Sequence, residues 1–473
     1  MLYHARRAGI LLAVAIAAYA LFPAAAAGSP LVNRWAVGAG EVLMLAGVLA
    51  TFGVAVGFFR PQLYDSIRSW SLFSLLFLVV IAAAAATHAL APGQVEFVPV
   101  AFAAVILSLV FDPRISLVAA MTLAALVTLL IGGQAVGRGT DVLFVTLVGG
   151  AAASLSARTM LRRTQTYQYV LTVALAYAGA TVALGLSESW SATELTESGS
   201  FGMLNAVLSV VFAVFLLPVA ERLTGATSPL TLIEYGDLNR PLLKRLSLEA
   251  PGTFAHTIAI ANLVEAACSA IGANGLLGRV GAYYHDIGKL SKPQYFVENQ
   301  GGGRNPHDKL KAGTSAAIIK GHIREGLDLA EAERLPAAIA AFIPEHHGTA
   351  PITYFLERAK VREREGNSVP NAADFAYPGP IPQSAETAVC MLADGIEAAV
   401  RVLGEPTAAR IREVVDHIVR QRIDQGQLKD APLTLRQLET VKEQFVRVLL
   451  GMYHTRIEYP STGGGVSAEF PAR

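Results

Sequence analysis

The sequence offers little sulfur chemistry. Only two cysteines, Cys268 and Cys390, occur in 473 residues. They form no CxxC pair and no disulfide framework, which leaves two reduced apolar side chains in a cytosolic domain. Charge is scarce as well. Asp, Glu, Lys and Arg make up 16% of the chain and sum to +1, so the balance points to no acidic partner and no nucleic acid polymer. Strand-type alternation of apolar and polar residues is missing. No motif offers a serine or cysteine nucleophile.

What is abundant is apolar residue, 53% of the chain, with a mean hydropathy of +0.45. That is too apolar for a soluble protein of this length, and the bias is regional. The first 223 residues are rich in Ala, Leu and Val, whereas the last 250 carry most of the charges and eight of the ten histidines. A membrane region followed by a soluble region is expected.

A bilayer core of about 30 Å needs roughly 20 apolar residues per crossing. Eight runs qualify, at about 8–27, 36–59, 70–91, 95–111, 115–133, 140–157, 167–187 and 201–221. Lys and Arg gather on the cytoplasmic side of such segments. Arg6, Arg7, Arg60, Arg68, Arg114, Arg158, Arg162 and Arg163 share one side, with only Arg34 and Arg138 opposite. The N-terminus is therefore expected in the cytoplasm, and eight crossings return the chain there. Arg6 and Arg7 ahead of an apolar run, then Pro23 and AAAAGS, also fit a cleaved signal peptide. Seven crossings then remain and the C-terminal half is still cytoplasmic. Glu41, Glu96, Asp141 and His88 lie near span ends and are read as interfacial residues reaching water, rather than as the lining of a ligand pocket.

Residues 224–250, punctuated by Pro229, Pro241 and Pro251, read as short helical pieces in a connector. Helical periodicity then covers about 252–271, 276–290, 314–326, 334–346, 384–403, 405–423 and 433–453. The cytoplasmic domain is expected to be all-α, with irregular loops at 291–312 and 364–383. The tail after about 455, Gly-rich and aperiodic, is expected to lack order.

Histidines concentrate in this half at helix-associated positions. His256 falls in the first helical stretch, His285 and Asp286 in GAYYHDIGKL, His322 in KGH, and His346 and His347 in PEHHGT. Asp394 lies within the apolar stretch TAVCMLADGIEAAV. A single histidine is ordinarily a satisfied polar residue. Five histidines and two aspartates on separate helices are a ligand set for iron, manganese or zinc. A carboxylate inside an apolar helix also needs a partner charge. Lys289 lies one helical turn past His285, placed to pair with Asp286, to contact phosphate, or to face solvent.

HDIGK at 285–289, with an upstream histidine, later His and HH positions and a downstream aspartate, resembles the HD-domain metal-dependent phosphohydrolases. The closer resemblance is to PgpH-like proteins, seven-transmembrane HD-domain phosphodiesterases of cyclic di-AMP. It rests on LLKRLSLEAPGTFAHT (242–257), YYHDIGKLSKPQYFVENQ (283–300), NPHDKL (305–310), EHHGT (345–349) and FAYPGPIPQSAETAVCMLADGIEAAVR (375–401). The seven-helix unit resembles the family in layout more than in letters. Ala255 stands where the family usually has an additional histidine in PGTYHHS, while His256 matches the metal-binding position. Only about ten residues separate the first helix from the seven-helix unit, where the family usually has a large external domain.

The resemblance implies a first helix or signal anchor with a short external linker at 1–35, a seven-helix transmembrane domain at 36–223, a connector at 224–250, an HD phosphohydrolase domain at 251–455 and a tail at 456–473. It implies a bacterial inner-membrane location with the HD domain in the cytoplasm. One metal would be held by His256, His285, Asp286 and Asp394, the other by Asp286, His322, His346 and His347, with Asp286 bridging. The ions would be manganese or iron. A metal-activated water would open cyclic di-AMP to linear pApA. Lys289 would assist at the bridging carboxylate. Phe375 and Tyr377 would contact a base, since aromatic faces stack on bases. Hydrolysis of cyclic di-GMP or of a guanosine polyphosphate remains the alternative, as does a receptor output that binds nucleotide without cleaving it.

Overall fold

A computed structural model describes residues 2–21, 31–132, 139–156, 165–301, 304–363, 371–404 and 406–453. The expected tail at 456–473 lies outside these. The chain forms two compact units, Met1–Asp237 and Leu238–Arg473.

The described elements of the first unit are all helices: α1 Leu2–Leu21, α2 Leu31–Phe59, α3 Pro61–Asp65, α4 Ile67–Leu90, α5 Val100–Val110, α6 Pro113–Gly132, α7 Gly139–Ser156, α8 Gln165–Glu188, α9 Ala192–Thr224 and α10 Pro229–Tyr235. Among the described residues six segments are long and apolar enough to cross a membrane, within α2, α4, α6, α7, α8 and α9. The expected span at 95–111 takes another form. Val95–Phe97 is a 3-10 turn, and α5 has 11 residues, about 16 Å at ~1.5 Å per residue. Nearly every α5 side chain is buried, and α6, α7 and α9 pack around it. A helix enclosed this way reads in sequence like a lipid-facing span, because both environments select apolar residues.

Between the expected spans at 167–187 and 201–221, only residues 189–191 lie outside helix. Ser191 caps α9 through a reciprocal pair with Glu194, its amide donating to Glu194 Oε2 at 2.7 Å, so helix begins about ten residues ahead of the expected span. Glu96 and Asp141 are also buried, with 1% and 6% exposure, which corrects their interfacial reading. Ser198 donates a hydrogen bond to the Glu96 carboxylate, and Asn205 Nδ2 donates to the Glu96 carbonyl at 2.8 Å. Protein donors replace the water that the sequence reading assigned to this group.

The second unit comprises α11 Pro241–Glu249, α12 Pro251–Ala270, α13 Gly275–Tyr284, α14 Ala312–Ala332, α15 Ala337–Ala340, α16 Phe342–Glu345, α17 Thr353–Glu363, α18 Ala385–Arg401, α19 Ala408–Asp424 and α20 Leu435–Met452. Pro229, Pro241 and Pro251 each open a helix, where a missing N–H costs nothing. Among the described residues the sole β feature is an isolated bridge between Pro351 and Ala376. Helix α12 is central, packed against α13, α18 and α20. Its buried Ile260, Leu263, Val264 and Cys268 form core with Cys390 and Phe445. Both cysteines are free and buried, and burial pushes both thiols up.

Candidate metal centre

The HDIGK segment marks a break in helix. His285 ends α13 with helical angles, but Asp286 has φ −113° and ψ 14° and leads into a 3-10 turn over Ile287–Ser291. The helix expected at 276–290 therefore stops at Tyr284. The turn is tight because α14 crosses it at backbone contact. A Cβ on Gly288 would lie 1.9 Å from the His322 carbonyl oxygen, so only glycine fits. This contact fixes His322, on the middle of α14, against Asp286. The stretch expected as one helix over 334–346 is two single-turn pieces, α15 and α16. His346 follows α16, and Gly348 then takes φ +54°, turning the chain away after the paired histidines. Asp394 comes from α18.

These seven residues converge, and they divide about one carboxylate. Asp286 Oδ2 lies 3.3 Å from His285 Nε2 and 3.8 Å from His256 Nε2. Asp286 Oδ1 lies 3.5 Å from His322 Nε2 and 3.6 Å from His346 Nε2. Asp394 reaches both sides, with Oδ1 3.1 Å from His256 Nε2 and Oδ2 3.7 Å from His347 Nδ1. Three overlapping groups have donor atoms mutually within 4.8 Å: His256, His285 and Asp394; His285, Asp286 and His346; and His322, His346 and His347.

The donor atoms fit divalent metal. His285 Nε2, His322 Nε2, His346 Nε2 and both Asp286 carboxylate oxygens are buried without a hydrogen bond. Lys289 Nζ approaches Asp286 Oδ2 to 2.6 Å, an ion-pair contact outside hydrogen-bond geometry. Burying five polar atoms without a hydrogen bond is expensive, and metal coordination would satisfy them together. The opposite imidazole nitrogens are anchored. His285 Nδ1 donates to Ala282 O at 2.7 Å, His322 Nδ1 to Ile319 O at 2.6 Å and His346 Nδ1 to Phe342 O at 2.9 Å. Each bond fixes the tautomer that leaves an Nε2 lone pair facing inward, as ligating histidines require.

His256 is anchored by a residue the sequence reading missed. Its Nδ1 meets Glu397 Oε2 at 2.6 Å, and Arg401 Nε donates to Glu397 Oε1 at 3.0 Å. Arg401 Nη2 also comes within 2.6 Å of His256 Nδ1. With Nδ1 protonated toward Glu397 that approach is donor to donor, so the carboxylate bond orients the ring. Glu397 lies one helical turn after Asp394 on the same α18 face, and Arg401 four residues further. Two carboxylates at i and i+3 in an apolar helix were the signal available in the sequence.

Burial and charge act against each other here. Burial would lower His256, but the Asp394 and Glu397 carboxylates outweigh it and hold the imidazole at about 9. Burial, reinforced by His285, depresses His346 to about 3. Burial likewise lowers His322 and His347. Asp286 resists the rise that burial would impose, because Lys289 and His285 hold it well below the carboxylate range. Lys289 is no surface lysine. Its ammonium is held between Asp286 and Glu298, 2.8 Å from Glu298 Oε1, and these carboxylates raise it against burial.

The two aromatic residues separate. Tyr377 stacks on His347 at 4.1 Å with 23° between planes, at the cluster. Phe375 does not reach it. Its ring is buried with Ala312, Ala316 and Phe355 in a satellite core, and its carbonyl accepts from Ile352 N at 2.7 Å. Phe375 closes a 3-10 turn over Ala372–Phe375 and the backbone turns extended only at Ala376, so the two aromatic side chains leave the chain in different directions. Phe375 is a packing residue, which corrects its assignment to substrate binding.

Residues 35–228 match a family described as 7TM receptor with intracellular HD hydrolase. Residues 253–399 match the HD domain, a span containing all seven donors and Glu397. The chain is 33% identical over 432 residues to the cyclic-di-AMP phosphodiesterase PgpH of Bacillus subtilis, covering 89% of this chain and 60% of that protein. It is 40% identical over 262 residues to PgpH of Listeria monocytogenes, covering 55% of this chain and 35% of that one. It thus spans less than two thirds of the curated relatives' length. A crystal structure of the L. monocytogenes PgpH HD domain in complex with cyclic-di-AMP is 41% identical over 46% of this chain and 99% of its own, with a TM-score of 0.44. Both regions are thus matched in order along one chain, a seven-helix membrane region followed by an HD domain.

Proposed function

We propose that the protein is a membrane-bound phosphodiesterase that opens cyclic di-AMP to linear pApA, using two divalent ions, manganese or iron. The observation that carries this reading is the set of orphaned donor atoms facing the two oxygens of Asp286. His256, His285, Asp286 and Asp394 would hold one ion, and Asp286, His322, His346 and His347 the other. Bound there, the ions supply Lewis acidity at a phosphoryl oxygen and an acidified water as nucleophile.

The protein's own groups prepare the site. Asp286 offers one oxygen to each side, and Lys289 with Glu298 fixes its carboxylate plane. The backbone acceptors of Ala282, Ile319 and Phe342 hold the protons of three histidines on Nδ1 and keep Nε2 free. Glu397 does the same for His256. Tyr377, stacked on His347, flanks the place where a base would lie. The names of the relatives from B. subtilis and L. monocytogenes support cyclic di-AMP over the guanine-based alternatives.

In this reading the membrane unit lies in a bacterial inner membrane and the HD domain faces the cytoplasm. The Arg and Lys bias supports that orientation. So does the ion pair of Arg60 with Asp112, Arg60 Nε lying 3.0 Å from Oδ2, which ties two basic loops together at one end of the bundle. The test is turnover by the purified full-length protein supplied with manganese or iron, screened over cyclic di-AMP, cyclic di-GMP and guanosine polyphosphates. Cyclic di-AMP should be converted to pApA. Full metal occupancy without hydrolysis of any of these would overturn the proposal.

A further inference from the structure

Arg422 is a cation with no charged partner among the described residues. It lies in the last turn of α19, where an arginine ordinarily faces solvent and stabilises the helix end. Here the side chain turns inward. Its Nε is buried and without an acceptor, and Nη1 donates to the Gln425 side chain at 3.1 Å. Among the described residues no carboxylate lies within ion-pair distance of it. A guanidinium carries five donors, so most of this one is unclaimed. Burial depresses Arg422 from its ordinary value, against the pull of the Asp394 carboxylate. An unpaired, half-buried cation is costly to maintain.

Its location explains why it is worth maintaining. A Cβ at Gly395 would lie 3.7 Å from Arg422 Nη2, which puts the guanidinium over the residue next to Asp394. The turn after α19 is fastened to the paired histidines. Gln427 N donates to the Arg422 carbonyl at 3.0 Å, and Gln427 Oε1 accepts from Thr349 N at 3.0 Å. Gln427 Nε2 donates to Thr349 Oγ1, also at 3.0 Å. The same residues that shape the turn after His347 therefore hold the Arg422 backbone. Asp394 cannot serve as its counter-charge, since its oxygens face His256 and His347.

We infer that Arg422 binds a non-bridging phosphate oxygen of the dinucleotide at the edge of the metal cluster, its fork completed by the substrate's anion. A planar fork of donors matches phosphate better than an ammonium does. The inference rests on the cyclic dinucleotide reading above. It adds a substrate-binding group outside the seven donors, on a helix that contributes none of them.

The test compares Arg422→Gln and Arg422→Lys with the wild type as full-length, metal-loaded protein. Metal content, thermal midpoint without substrate, and kcat and KM for cyclic di-AMP are measured. A lost charge-assisted bond should raise KM about ten- to a hundredfold in Arg422→Gln, with metal content and midpoint unchanged. Arg422→Lys should recover part of that loss. A merely structural arginine would lower the midpoint and metal content in both variants, and that pattern would overturn the inference. So would wild-type KM in Arg422→Gln while the wild type turns over. A fully metallated wild type that neither binds nor cleaves the dinucleotide would overturn the functional reading itself, and this inference with it.

Discussion

Replacing Gly288 by alanine tests how tightly the cluster depends on one backbone contact. The added Cβ would sit 1.9 Å from the His322 carbonyl oxygen and 2.5 Å from Gly326 N, where ordinary contact begins at 3.4 Å. Both obstacles are backbone, so neither can rotate away. The turn and α14 must part by ~1.5 Å, at an overpacking cost of about 1–3 kcal/mol. His322 Nε2 starts 3.5 Å from Asp286 Oδ1. That gap would open toward ~5 Å, and one ion with bonds of about 2.0–2.2 Å cannot bridge it. The ion on the His322, His346 and His347 side should be lost and the other retained. Displacement on this scale costs on the order of a hundredfold in rate. The assay is metal per chain by mass spectrometry alongside cyclic di-AMP turnover. Gly313→Ala serves as control, since a Cβ there meets nothing within 4 Å. Two ions and wild-type turnover in Gly288→Ala would refute the reasoning.

Glu397→Gln should weaken metal binding on the His256 side by about 10–100-fold and leave the His322 side intact, as read by metal titration. His256 predicts a pH dependence. In the metal-free protein it is held at about 9 against an ordinary 6.5, so a proton and a metal compete for Nε2. Metal affinity should climb as pH rises toward about 9 and then level off. Because the folded pKa is the higher one, the metal-free protein keeps this stabilisation in full below about pH 6.5 and loses it as pH rises to about 9. Melts across that range check the sign, and a metal-free midpoint that rises with pH would count against it. Phe375→Ala should cost about 3–5 kcal/mol of stability with metal content unchanged. Tyr377→Ala should lower turnover more than Tyr377→Phe, which keeps the ring on His347.

The seven residues that converge were legible because their chemistry is spelled out in types: five imidazoles and two carboxylates in an otherwise apolar, histidine-poor chain. The break at His285 was not, because apolar periodicity runs on through Ile287 and Leu290 while the contact that ends the helix comes from α14. Glu397 was passed over because a glutamate in a helix is ordinarily solvated, and only the fold turns it toward His256. Phe375 misled because an aromatic in a Pro-rich loop reads as exposed. Arg422 gave no sign, since an arginine at a helix end has an ordinary explanation until its lack of an anion is seen. In the membrane unit, α5 shows the limit of hydropathy. Ten apolar residues inside a bundle and ten facing lipid are alike in sequence.

The central claim is that one aspartate serves two ions. Metal content per chain of full-length wild type and Asp286→Ala, both loaded with manganese, tests it most directly. The account predicts two ions in the wild type and loss of both in Asp286→Ala, since each side of the cluster faces one oxygen of that carboxylate. Two ions retained in Asp286→Ala would contradict it.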